Sequence, residues 1–215
     1  MSKELDTRIQ NLLAHGDGYF HEDEAIFNEN GFSGMLRPWK GLLNNNFHEV
    51  VELFLVTHSS ILGDKINRQM LTSLLRMCNY ARSICISLNS SLRKNRLIND
   101  KEISLLESWL NVIDNLIIIG LEKQSLQDLV LVYCNYINKT NEKIEYDLTY
   151  LLPLLTGILT SNKSNDNKVT ALISLRKINI KSEEVLNALE QVSLNRDEEV
   201  QEELSKTMNV LGSEA

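Results

Sequence analysis

Asp166-Asn167-Lys168-Val169-Thr170-Ala171-Leu172-Ile173 is followed, thirty-one residues on, by Asp197-Glu198-Glu199-Val200-Gln201-Glu202-Glu203-Leu204. Both octets read Asp-x-x-Val-x-x-x-Ile/Leu. Two apolar residues four apart share one face of a helix, and a short polar acid just ahead of them is an N-terminal signal. Between the octets lies Ser182-Glu183-Glu184-Val185-Leu186-Asn187-Ala188-Leu189, in which Ser182 caps and starts a partner helix. A recurrence at this period predicts helix pairs.

Outward from this repeat the helical reading holds along the chain. Two prolines and nine glycines in 215 residues leave few of the breaks that a β-sandwich or a doubly wound α/β fold requires, and 43% hydrophobic content suffices for a continuous core. We expect an all-α protein. Leu5, Ile9, Leu12 and Leu13 predict a first helix over 3–15 that stops at His15-Gly16. Val50 to Ile61 predicts a second over 47–62, ended by Gly63. Asp64 then caps a long third helix, with Ile66, Met70, Leu74, Met77, Ala81, Ile84 and Leu88 on one face and Lys65, Arg68, Arg76, Arg82 and Arg93 on the other. A fourth helix runs from Asn99 or Asp100 to Leu121, apolar nearly all round, and a fifth spans 125–137. A sixth spans 146–159, where Pro153 predicts a kink or a late start. Residues 16–46 form one irregular, glycine-rich, acidic segment, and the chain is read as a single domain over 1–215.

Charge is sorted along the sequence. Residues 181–215 carry nine acids and three bases, residues 17–29 five acids and no base, and residues 65–96 seven bases and no acid, within a net charge of −7. That balance excludes a general nucleic-acid binder, whose surface is basic. The polar N-terminus lacks the apolar core of a secretion signal, and Glu107, Asn111, Asp114 and Asn115 interrupt the apolar window 105–121, so no membrane partner and a cytoplasmic location are expected. Cys78, Cys85 and Cys134 are read as reduced packing residues.

Catalytic chemistry finds no footing. Phosphate-cradling loops are lacking, Gly31-Phe32-Ser33-Gly34 lacks the spacing of a nucleophile elbow, and His15, His21, His48 and His58 have no metal-ligand spacing. We expect no enzyme activity, no metal and no cofactor. Binding has two candidate stretches. Asp17, Tyr19, Phe20, Glu22, Asp23 and Glu24 combine rings with charge in a loop, a common binding arrangement, although rings such as Phe27, Phe32 and Trp39 can equally fold back as core. Asp197, Glu198, Glu199, Glu202 and Glu203 open a predicted helix. Its dipole accounts for Asp197 and Glu198, while Glu202 and Glu203 stand further from the terminus, and a patch of one sign steers a basic partner.

The Asp-x-x-Val units, with the Val210-Leu211-Gly212 ending, resemble HEAT-type repeats over residues 165–212. The resemblance implies antiparallel helix pairs stacked as a small α-solenoid or helical bundle. Size, acidity, layout and these repeats are also similar to immunity proteins of bacterial polymorphic-toxin and contact-dependent growth inhibition systems. That resemblance implies a protein partner, a basic nuclease toxin domain that cleaves RNA, whose active site the acidic surface covers without chemistry of its own. A helical-repeat scaffold or adaptor joining endogenous proteins is the alternative. Direct nucleic-acid binding, through the bases of residues 65–96, is disfavoured by the acidic tail.

Overall fold

The computed structural model describes residues 3–17, 31–37, 39–62, 66–141 and 143–212, and among them there is no strand. The protein is all-α, and 77% of the described residues are helical. Where the sequence is read as one domain, the chain divides into two compact units, Met1–Gln124 and Ser125–Ala215.

In the N-terminal unit α1 (Lys3–Asp17) packs chiefly on α5 (Arg68–Ala81) and α3 (Asn44–Thr57). It does not stop at Gly16. A methyl group on Gly16 would lie 2.8 Å from the backbone oxygen of Ser73, so the glycine is where α1 and α5 approach too closely for any side chain. Beside it the Ser73 hydroxyl donates to Leu13 O at 3.1 Å. The segment expected to be irregular contains a short helix, α2 (Phe32–Leu36), whose Phe32, Met35 and Leu36 are buried, so Phe32 is core. Its start is fixed by His15, whose Nδ1 accepts from Phe32 N at 3.1 Å while Nε2 lies 3.4 Å from Glu49 of α3.

The third helix differs from its expectation in three respects. Asn67, not Asp64, caps α5, accepting from Met70 N at 3.1 Å; Asp64 lies outside the described residues. Met70, Leu74, Met77 and Ala81 are buried as expected, but Arg82–Ile86 forms a π-helical turn. The extra residue shifts the buried position from Ile84 to Cys85 and ends the helix, leaving Leu88 exposed, while Ile66, ahead of the cap, is exposed at the other end. Short α4 (Ser59–Leu62) follows α3, and short α6 (Ser91–Lys94) follows the π turn.

Helix α7 (Asp100–Leu121) starts at a capping box in which Asn99 and Glu102 serve each other's backbone N–H groups. Ser104, Glu107, Asn111, Asn115 and Ile118 form an exposed stripe, so the helix is amphipathic rather than covered all round. Length and composition would let it cross a membrane, yet half of its apolar window is buried. From its buried face Trp109 stacks on Phe47 at 5.1 Å and meets Phe32 at 6.3 Å, joining α7, α3 and α2 in one core.

In the C-terminal unit α8 (Leu126–Lys139), α10 (Asn165–Ile178) and α12 (Glu198–Gly212) pack in one row, and α9 (Leu152–Thr160) and α11 (Glu183–Val192) in another. Pro153 produces the late start: residues 149–151 are a 3-10 turn and α9 begins at Leu152. Ser182 caps α11, accepting from Val185 N at 3.2 Å.

The repeat register is corrected by the caps. Ser164 accepts from Asn167 N and Asp197 from Val200 N, so the equivalent starts of α10 and α12 are thirty-three residues apart, and Asp166 lies inside its helix. Two residues turn a helix by about 200°. Accordingly Ile173 is only half-buried whereas its sequence counterpart Leu204 is buried.

Candidate partner-binding surface

The run Asp197 to Glu203 breaks into inward and outward carboxylates once it is wound into α12. Asp197 is a structural node: Oδ1 caps the helix, Oδ2 accepts from Asn165 Nδ2 at 2.9 Å, and its own N–H donates to Asn195 Oδ1. Glu203 is 12% exposed and takes Arg176 of α10 at 2.7 Å and Lys206 at 2.6 Å. Burial pushes its pKa up, but hydrogen bonds from Lys206 and Arg176 outweigh that and hold the carboxyl below the ordinary range. Glu202 meets Lys206 at 2.7 Å on the surface. Glu198 and Glu199 are exposed in the first turn, with no ion pair among the described residues.

A further acidic feature of the same unit is one the sequence reading used only for capping. Between α9 and α11 runs a groove of about 570 Å³ bordered by Glu183, Glu184, Asn187, Gln191, Thr160 and Gly157. No base lines it. Glu184 is held by the Thr156 hydroxyl at 3.0 Å, and Glu183 is exposed without an ion pair among the described residues. The polar stripe 183, 187, 191 at four-residue spacing, opposite buried Val185, Ala188, Leu189 and Val192, was the sequence signal for this edge.

The other candidate stretch is not placed. Asp17 ends α1, and Tyr19, Phe20, Glu22, Asp23 and Glu24 lie outside the described residues. Compared with protein-family models, with curated proteins and with solved structures, the chain matches none.

The three cysteines and His48 are engaged in packing. Cys78, Cys85 and Cys134 are buried, and burial pushes each thiol up to about 12, which keeps it protonated at neutral pH. His48 is buried in α3 against Phe47, and burial lowers its pKa to about 4. His58 Nδ1 sits 2.6 Å from Leu55 O of its own helix. No group of three His, Cys, Asp or Glu among the described residues could hold a metal ion.

Proposed function

We propose that this protein acts by binding, as an immunity protein that covers the basic active site of a toxin domain, an RNA-cleaving nuclease. One observation carries the reading: carboxylates turned inward in the C-terminal unit are matched by cations or caps, while Glu183, at the edge of a groove without a base, and Glu198 and Glu199, in the first turn of α12, stand exposed with no ion pair among the described residues. A partner that brings Lys and Arg to this face gains steered association, and a nuclease so covered cannot admit substrate phosphates. Neither step requires a reacting group in this chain.

The test is a pull-down from the native cell at moderate salt, with the bound protein assayed for nuclease activity before and after release. One stoichiometric basic partner, active only when released and bound several-fold less tightly by a Glu183→Gln/Glu184→Gln/Glu198→Gln/Glu199→Gln variant, supports the proposal. Several weak partners without toxic activity would overturn it in favour of a scaffold or adaptor.

A further inference from the structure

Exposed apolar side chains and bases coincide in one part of the N-terminal unit, where Arg82 pairs with Asp114 of α7. From residue 65 to residue 99 there is no acid, and Ile66, Leu75, Leu88 and Leu97 are exposed there. Leu88 and Leu97, at 77% and 52% exposure, stand at the two ends of a tightly tied segment. Ser87 N bonds to Arg82 O across the π turn, Ser90 caps α6, Leu97 N bonds to Leu92 O at 2.8 Å, and the Arg93 guanidinium grips Ile86 O at 2.9 Å. Leu92 and Ile98 anchor the segment in the core. A segment braced this way holds its two leucines in water rather than leaving them there through looseness.

Between the leucines, Lys94 and Arg96 are exposed with no ion pair among the described residues. Arg93, beside them, lies 4.0 Å from the exposed Asp100. Protein interfaces concentrate aromatic side chains and deplete lysine, and leucine is under-represented among their energetic anchors. A surface reading only nucleic-acid phosphates gains nothing from leucine. Leucine interleaved with Lys and Arg suits a bilayer surface, with bases at anionic headgroups and apolar chains at the acyl boundary.

We propose that residues 87–97 form a peripheral docking site for an anionic lipid surface. The contact needs no spanning helix and is independent of the acidic face of the C-terminal unit. The experiment is co-flotation of the full chain with vesicles of phosphatidylglycerol and phosphatidylcholine against vesicles of phosphatidylcholine alone. Binding is expected to the anionic vesicles only and to weaken as salt is raised. Leu88→Ser/Leu97→Ser and Lys94→Gln/Arg96→Asn should each lower the bound fraction several-fold with the circular dichroism spectrum unchanged. Asn suits Arg96 because that residue has a φ of 55°. Glu198→Gln/Glu199→Gln should bind like the parent. Absence of flotation, equal binding to both vesicle types, or binding that survives the leucine substitutions would overturn the proposal. Salt-sensitive binding of an RNA oligonucleotide that needs the bases and not the leucines would overturn it too, in favour of a phosphate-reading surface.

Discussion

The two units are held together over different distances along the chain. In the C-terminal unit the side-chain links within each row of helices join residues 27 to 40 positions apart, from Arg176–Glu203 to Lys177 Nζ on Ile137 O. The span is about one helix pair throughout, so each helix is braced by the next of its row. In the N-terminal unit Ser73 reaches back 60 residues to Leu13, and α1 finds its main partner only when α5 has been reached. Neighbour-to-neighbour packing leaves a period in the sequence; packing closed over a long loop leaves none. The largest effects of substitution should therefore come where the N-terminal unit closes on itself.

Gly16→Ala attacks that closure directly. The added methyl meets the Ser73 backbone, which has no flexible end to move aside, so α1 must back away from α5 and lose the Ser73–Leu13 bond. Overpacking of this kind together with a lost buried hydrogen bond should destabilise the unit by about 3 kcal/mol. Both tryptophans, Trp39 and Trp109, belong to this unit, and Trp109 is in its core. Urea unfolding followed by tryptophan fluorescence is thus the measurement, and a loss under about 1 kcal/mol would break the account of a steric closure.

Acid should separate the units next. The buried His48 has its pKa lowered from 6.5 to about 4, so over that interval the unfolded chain binds a proton that the folded chain refuses. Stability is complete above about 6.5 and is lost as pH falls toward about 4, by roughly 3 kcal/mol in all. Glu49, lowered by its hydrogen bond with His15, adds its loss only below the ordinary carboxylate range. Asp128 and Glu203 of the C-terminal unit behave likewise: burial raises each, but Lys163 with Ser125, and Lys206 with Arg176, hold them low. Their contribution is lost only as pH falls below that range. Urea midpoints read by tryptophan should accordingly fall between pH 6.5 and 4 in the parent and hold in His48→Gln. A midpoint flat with pH in the parent would sink the assignment.

The same contrast shows why some of the molecule was legible and some was not. Ser182, Asn99 and the late start at Pro153 depend on residues within one helical turn, and each stands where local pattern puts it. The π turn at Arg82–Ile86 and the glycine inside α1 depend on what lies across the interface, which periodicity does not register. The thirty-one-residue match located the right helices in a register two residues short, because the cap of α10 is Ser164, a residue unlike Asp197 in the octets compared. For the candidate binding surface, sequence found the charge but not its direction. Asp197 and Glu203 turned out to hold the unit together, and Glu183 beside Asn187 and Gln191 emerged only once α9 stood opposite.

Within the row of α8, α10 and α12, single links should matter less than the closure in the first unit. The Ser174 hydroxyl, fully buried, lies 3.0 Å from Asn138 Oδ1, and Asn138 Nδ2 reaches Thr170 O at 3.0 Å. Ser174→Ala removes one partner and leaves the Asn138 oxygen short of a donor, for an expected loss of about 1–2 kcal/mol. Unfolding read by far-ultraviolet circular dichroism checks it. A larger loss than Gly16→Ala causes would reverse the ranking of the two units.

Gly157→Ala is the smallest change and the sharpest counterpart to Gly16→Ala. Both glycines lie in helices, but a methyl on Gly157 would find nothing nearer than Gln127 Nε2 at 3.9 Å, ordinary van der Waals contact. Removing glycine's entropy in a helix interior should then raise stability by up to about 1 kcal/mol. The position also lines the groove between α9 and α11. Thermal unfolding should show the gain, and affinity for the proposed basic partner should fall only where that partner seats in the groove. Higher stability with unchanged affinity would move the partner off the groove and onto the first turn of α12, where Glu198 and Glu199 stand exposed.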